Sequence, residues 1–237
     1  MAPEHAKLSL KATSVHATSS DARRRGGSAS QTATRVLILL DELGLAVPAA
    51  CDVEDAVTVV SSLIRLQKLD FWLRNPDYLA DELLTEFESG RVTLDQIKPH
   101  VVRMLEGDAP QLHTYPMERY IYGAYEFIDD ALAVLKLYGQ IEHRRAADSG
   151  AMSRRDYFLL QKGRDTVAAM RKEIPELDWY VAQASAIGLI ADAAQGASAK
   201  RRQYLQTEYA NTAHGDVIPS ILDRVRERAV GLEVMED

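Results

Sequence analysis

Hydrophobic residues recur along most of the chain at the spacing of an amphipathic helix, on one face in each successive turn. The segment TATRVLILLDELG shows this spacing first, and it ends at Gly44, a residue typical of helix C-termini. The apolar stripe of this segment consists of Val36, Leu39, Leu40 and Leu43. We therefore predict a buried helix here and a mainly helical protein.

Two further helices are predicted before Gly90. One runs over about 53–74, where apolar residues keep the helical spacing. The next begins at Pro76, because Asn75 can cap it and proline is favoured at the first helical position. Gly90 should close this helix.

Proline and glycine interrupt the pattern over 91–139. Pro99 should break any helix that runs through it, so we expect a short strand or turn and then a helix from Lys98 to Leu105. Farther on, YPMERYIYGAYEFIDDALAVLKLYG is expected to form two helical segments that separate near Gly123, and the second should end at Gly139.

A β-hairpin is predicted next, in a chain that is otherwise helical. QIEHRRA and RRDYFLL are strand-like, the turn Asp148-Ser149-Gly150 joins them, and the short helix GRDTVAAMRKE follows. A helix, a glycine, a hairpin and another helix follow one another in a winged helix, which is a variant of the helix-turn-helix. We therefore predict a helical bundle with an embedded winged-helix region, that is, a helix-turn-helix plus a β-hairpin.

Past Pro175 the pattern is helical again, and the last helix, opened by Pro219, should bury Ile221, Val225 and Ala229. We predict an organisation in four parts. They are a disordered basic tail over 1–30, an N-terminal helical region over 31–110, a winged-helix region over 111–174 and a C-terminal helical region over 175–237.

The charge balance limits the partners. The 237 residues carry a formal net charge of -7, so no bulk positive field draws the chain to nucleic acid or to an anionic membrane, and any such contact must be local. The tail lacks the aromatic and branched residues that offset ordering entropy, so its triplet Arg23-Arg24-Arg25 should be solvated. No apolar run approaches the roughly 20 residues of a membrane span. Cys51 is the single cysteine, and we expect a cytoplasmic protein without membrane contact.

The sequence offers little to a catalytic or metal site. Its six histidines are scattered, without an HxxxH or HExxH pair. Acidic pairs such as Asp129-Asp130 have no complementary base or nucleophile nearby, and no glycine-rich phosphate loop is present. We therefore predict no enzyme activity, no catalytic residue, no metal and no cofactor.

Basic residues concentrate on the predicted hairpin, where they suit either phosphate or the carboxylates of a partner. The candidate phosphate- or partner-binding residues are Arg144, Arg145, Arg154, Arg155, Lys162 and Arg164. The helix that would enter a DNA groove begins with Glu126, Asp129 and Asp130, and acid at this end repels phosphate. Its only cation is Lys136. Sequence-specific reading of DNA is therefore not expected, while both uses of the hairpin arginines stay open.

Tyrosines in ERYIYGAYEF and RRQYLQTEYA are candidate interface residues, because tyrosine adds contact area at low entropy cost. These candidates are Tyr120, Tyr122, Tyr204 and Tyr209. The alternative is that they close the helical core.

The order of several stretches resembles the accessory, or middle, components of ABC three-component and Lamassu-like bacterial anti-phage defence systems. The stretches are RVLILLDELG, LDFWLRNPDYLADELL, LAVLKLYGQIEHRR with DYFLLQKGRDTVAAM, LDWYVAQA, and QYLQTEYANTAHGDVIPSILDRVRERA. The resemblance covers about Arg35 to Ala229, and it consists of the order of these stretches and their general pattern of residues. It implies a non-catalytic winged-helix subunit that bridges an SMC-like ABC ATPase and an effector, often a nuclease. DNA would then be contacted without sequence specificity, through the complex.

Two functions from different classes stay open at this point. The first is this accessory subunit, which binds other proteins. The alternative is a winged-helix transcription regulator of the PadR or MarR kind, which would work as a homodimer through its terminal helices. The segment DRVRERA offers charges of both signs for such a contact.

Overall fold

A computed structural model describes residues 28–107, 117–120, 123–125, 128–145, 154–191 and 196–234. Helices surround a small three-stranded antiparallel sheet, and a separate hairpin forms a second sheet. The helices are α1 (Ala29–Leu43), α2 (Leu63–Arg74), α3 (Pro76–Glu88), α4 (Leu94–Glu106), α5 (Asp129–Leu137), α6 (Gln161–Glu173), α7 (Leu177–Ile187), α8 (Gly196–Leu205), α9 (Thr207–Asn211) and α10 (Leu222–Gly231). The strands are β1 (Ala56–Ser61), β2 (Glu118–Tyr120), β3 (Gly123–Tyr125), β4 (Ile141–Arg145) and β5 (Arg155–Leu160). The predicted mainly helical fold is confirmed.

Helix α1 lies at the centre of the molecule, because its side chains from Val36 to Leu40 are buried on every face. Ser28 and Gln31 form a capping box at its start, and Gly44 follows its last residue. The helix packs against α5, α7 and the sheet. The predicted buried helix and its end at Gly44 are confirmed.

The predicted helix over 53–74 is wrong in its first half. Residues Ala56–Ser61 form strand β1, and α2 begins only at Leu63. The sequence AVTVVS favours a strand, because branched side chains are stiff at χ1 and pack well on a pleated surface. Asp55 and Ser62 have positive φ angles of 56° and 73°. The backbone therefore turns at both ends of the strand and cannot continue as one helix.

Helix α4 contradicts the predicted break at Pro99. It runs through the proline, and its start is fixed by a capping box between Thr93 and Gln96. The proline is the sixth of the thirteen residues of the helix, an interior position, where it removes one hydrogen bond, to the carbonyl of Asp95. The buried stripe that holds the helix on the core is Ile97, Val101, Met104 and Leu105.

The first of the two helical segments predicted around Gly123 is also wrong. Strands β2 and β3 pair here as an antiparallel hairpin, which the aromatic sequence ERYIYGAY favours. The chain pairs again on the other side of β2, where the Arg119 amide donates to the Asp216 carbonyl at 2.9 Å. The second segment is confirmed as α5, and Gly139 follows it with a φ angle of 64°.

The predicted hairpin around residue 150 is confirmed as β4 and β5, which pair from Ile141 opposite Leu159 to Arg145 opposite Arg155. Strand β5 also pairs with β1, so the sheet order is β1-β5-β4. The sheet thus joins one strand from 31–110 to two strands from 111–174. The predicted turn Asp148-Ser149-Gly150 and the tail up to residue 27 lie outside the described residues, while residues 28–30 cap and begin α1.

The C-terminal helices are tied to α3 by charge. Asp81 is 3% exposed, and it pairs with Arg228 at 2.5 Å and with Arg224 at 3.4 Å. The predicted buried stripe is confirmed in Ile221, Val225 and Ala229, although α10 itself begins at Leu222 rather than at Pro219. None of the helices in the described ranges combines the length and the apolar character needed to cross a bilayer.

Candidate functional site

Helix α5 has two different faces. Ala131, Leu132 and Leu135 are buried, and the helix packs against α1. The exposed side carries Ala133, Val134, Leu137 and Tyr138, which we call the α5 outer face. Val134 is 38% exposed, Leu137 83% and Tyr138 61%. Large apolar side chains that are exposed side by side on one helix indicate a binding surface for another protein.

The two ends of the α5 outer face carry opposite charge. Asp129 and Asp130 are exposed in the first turn, where the helix dipole favours carboxylates. At the other end Lys136 binds the Glu142 carboxylate at 2.7 Å, and Arg144 binds the same carboxylate at 2.9 Å. Burial acts to raise the pKa of Glu142, but hydrogen bonds from Lys136 and the His143 amide lower it overall. Two cations share one carboxylate, so this end is positive.

The β4–β5 hairpin brings four predicted arginines together. Arg144 lies opposite Asp156, and Arg154 binds the carboxylate of Asp156 at 3.1 Å. Arg145 lies directly opposite Arg155, and both are exposed. In the ranges that the structure describes, neither Arg145 nor Arg155 forms an ion pair. Like charges directly opposite each other destabilise a strand pair, so an anion between these guanidinium groups would relieve their repulsion.

The remaining two basic candidates lie elsewhere. Lys162 and Arg164 belong to the first turn of α6, which follows the end of β5. Arg155 is at the start of β5, so about 20 Å of strand separates it from these two residues. Lys162 is exposed, whereas Arg164 binds Asp41 of α1 at 2.7 Å. These two side chains therefore do not belong to the arginine cluster of the hairpin.

The four tyrosines fall into different environments. Tyr209 is fully buried, and its hydroxyl accepts the amide of Ala124 at 2.6 Å. The ring of Tyr204 is partly exposed and packs edge-on against Tyr209, with centroids 5.4 Å apart. The side chains of Tyr120 and Tyr122 lie outside the described residues. Of the candidates that can be placed, Tyr204 alone presents part of its ring to solvent.

A polar cleft of about 340 Å³ lies between α3 and α8. Two of its three arginines have carboxylate partners within the chain: Arg202 binds Glu82 at 3.0 Å and Glu86 at 2.5 Å, and Arg91 binds Glu86 at 2.5 Å. The cleft is therefore a weaker candidate than the α5 outer face. Within the described ranges there is no group of three His, Cys, Asp or Glu side chains that could hold a metal ion.

Comparison of the chain with protein-family models, with curated proteins and with solved structures gives no match.

The α5 outer face is the feature that sequence reasoning missed. The acidic start of α5 and the hairpin arginines can be recognised in the sequence by their charge. The exposed apolar face cannot, because the segment ALAVLKLYG is apolar on more than one side. A helix that is apolar on several sides is either surrounded by its own core or covered by a partner. Only the packing of α5 on α1 separates its buried face from its exposed one.

Proposed function

We propose that this chain is a non-catalytic accessory subunit of a prokaryotic anti-phage defence complex, in which it bridges an SMC-like ABC ATPase and an effector nuclease. The α5 outer face is the observation that carries the proposal. An exposed apolar helix face with carboxylates at its leading end suits contact with a protein, whereas DNA recognition needs cations there. The resemblance of the chain to the middle components of such systems supplies the identity of the partners.

The order of the elements supports a winged-helix region. Elements α1, β1, α2, α5, β4 and β5 follow one another as in a winged helix, with 76–128 inserted between α2 and α5. The sheet order β1-β5-β4 agrees with this arrangement. In it, α5 takes the place of the helix that enters the major groove of DNA. Its outer face presents Val134, Leu137 and Tyr138 where a DNA-reading helix carries Arg, Asn, Gln or Lys.

The hairpin arginines supply a second contact. Arg145 and Arg155 lie opposite each other, and no carboxylate of the described residues forms an ion pair with either of them. A carboxylate of the ATPase or effector could bind both guanidinium groups. In this proposal DNA meets the chain only as part of the assembled complex.

Affinity purification of the tagged chain from its native host, followed by mass spectrometry, tests the proposal. We expect an SMC-like ATPase to co-elute in stoichiometric amount at moderate salt. Replacing Arg144, Arg145, Arg154 and Arg155 by Glu should reduce that recovery. The control is a variant in which three exposed residues outside the hairpin, Lys98, Lys172 and Arg201, are replaced by Glu. This control should leave the recovery of the ATPase unchanged. A chain that co-purifies with no ATPase contradicts the proposal.

The exposed pair Arg145 and Arg155 also suits the alternative, a dimeric winged-helix regulator of the PadR or MarR kind. Such a regulator binds duplex DNA from its own upstream region, with an affinity that falls steeply as salt rises. Fluorescence anisotropy with that duplex separates the two functions. Tight, sequence-dependent binding by the purified chain would favour the regulator over the subunit.

A further inference from the structure

We propose that a second copy of this chain covers the α5 outer face, with the two α5 helices antiparallel across a twofold axis. This inference goes beyond the proposed function and assigns the surfaces: the second copy covers the α5 outer face, and the hairpin arginines are left to contact the ATPase and the effector. It rests on the order of charged and apolar side chains along α5 and on their exposure.

Charge complementarity selects the second copy. Along α5, the exposed residues run from Asp129 and Asp130, through the apolar outer face, to the positive group formed by Lys136 and Arg144 around Glu142. The helix is nine residues long, so these ends are about 13 Å apart. When two such helices lie antiparallel, each acidic end meets the basic end of the other copy. A twofold axis therefore satisfies both ends at once.

The apolar side chains fit the same arrangement. An axis that passes near Val134 places this residue against its equivalent in the other copy. Leu137, 83% exposed, then packs along Ala133 of the other copy, and the Tyr138 hydroxyl comes within reach of Asp130. Burial of these side chains supplies the driving force, and the charged ends set the direction.

Nucleic acid lacks this pattern, because its backbone carries one sign of charge along its whole length and would face Asp129 and Asp130. A dimer through α5 also covers the helix that a winged-helix regulator would insert into the major groove. Arg145 and Arg155 lie farther along the hairpin and stay exposed in each copy, so the dimer offers two equivalent hairpins to its partners.

Analytical ultracentrifugation of the purified full chain tests the dimer. The contact is smaller than the roughly 800 Å² per partner of a standard interface, so a concentration series from about 1 to 200 µM is required. We expect the wild-type chain to dimerise within this series and the Leu137→Glu variant to stay monomeric. Leu205→Glu is the control, because Leu205 is 77% exposed at the end of α8 and lies outside the proposed contact. This control should dimerise like the wild type.

A charge exchange tests the direction of the helices. The variant Asp129→Lys/Asp130→Lys carries cations at both ends of α5, and Lys136→Glu/Arg144→Glu carries carboxylates at both ends. Each variant alone should associate at least ten times more weakly than the wild type, and an equimolar mixture should form a heterodimer. Thermal melting of each variant establishes that it is folded.

Three results would overturn the dimer: a wild-type chain that is monomeric throughout the series, a Leu137→Glu variant that dimerises like the wild type, or charge variants that stay apart on mixing. A monomeric wild-type chain whose Leu137→Glu variant no longer captures the ATPase would assign the face to that subunit. This outcome leaves the proposed function intact. A wild-type chain that dimerises but recovers no ATPase in the purification would support the dimer and contradict the proposed function.

Discussion

Lys68 places an ammonium group inside the molecule. Its side chain is 1% exposed, and Nζ lies 3.2 Å from the hydroxyl of Tyr209. Burial lowers the pKa of Lys68 to about 8, and the charge of Lys200 adds to the shift. Burial also raises the pKa of Tyr209, so the phenol is neutral when it meets Lys68. This contact joins α2 to α9, and through the amide of Ala124 to β3.

The lowered pKa makes the stability of the protein depend on pH above neutrality. Between pH 8 and 10.5 the unfolded chain binds more protons at Lys68 than the folded chain, so the free energy of unfolding should rise with pH in this interval. The full shift corresponds to roughly 3 kcal/mol. We predict that Lys68→Met removes this rise, as measured by urea unfolding between about pH 7 and pH 10.

Lys162→Met, at an exposed position, is the matched control for Lys68→Met and should keep the wild-type dependence on pH. Equal dependence on pH in the wild type and in Lys68→Met would mean that the ammonium group is solvated and not buried.

At the scale of the elements, Gly163 allows α6 to begin directly after β5. A Cβ atom at this position would lie 2.4 Å from the carbonyl oxygen of Gln140 and 2.6 Å from Cδ1 of Leu159. The first turn of α6 is therefore packed against the turn that connects α5 to β4. The position of the α5 outer face relative to the hairpin depends on this close approach.

We predict that Gly163→Ala destabilises the protein by about 1–3 kcal/mol, because the added methyl group overpacks the contact. Helix propensity alone predicts the opposite sign, a gain of about 1 kcal/mol. Gly231→Ala is the control, since a Cβ atom there meets nothing within 4 Å. Denaturant unfolding measures both variants, and an unchanged or raised stability of Gly163→Ala would disprove the close packing.

At the scale of the whole molecule, Asp81 joins the C-terminal helices to the rest of the chain. Its carboxylate accepts hydrogen bonds from Arg228 at 2.5 Å and from Gln206 at 2.6 Å. Arg228 also binds Glu88 at 2.5 Å, but Glu88 is 46% exposed while the Asp81 side chain is 4% exposed. One arginine thus bridges a buried carboxylate and a solvated one.

We predict that Asp81→Asn costs about 2–3 kcal/mol, because the buried Asp81 carboxylate accepts hydrogen bonds from Arg228 and Gln206, while Arg228 keeps Glu88 as its second partner. The matched change Glu88→Gln should cost less than about 1 kcal/mol. Hydrogen exchange of the amides in α10 should accelerate in Asp81→Asn and stay near the wild-type rate in Glu88→Gln. Equal acceleration in both variants would refute the distinction between the two carboxylates.

Local signals were sufficient for some elements and insufficient for others. Pro76, Gly44 and the stripe of the last helix act within a few residues, so the elements that they mark could be predicted. Strand β1 could not, because its partner β5 is distant in sequence and the apolar residues over 53–74 also keep a helical spacing, which hides the strand preference of AVTVVS. The exposure of Leu137 likewise depends on which side of α5 meets α1, and this is a tertiary fact.

The pairing of β1 with β5 also fixes an order of events during synthesis. Residue Ala56 pairs with Leu160, so a ribosome that adds about 5–20 residues per second delivers the partner of β1 only after roughly 5–20 s. Through this interval AVTVV is an apolar strand that lacks its partner, which is the kind of segment that aggregates or recruits chaperones. The nascent chain is therefore most vulnerable at the strand that later becomes the edge of its sheet.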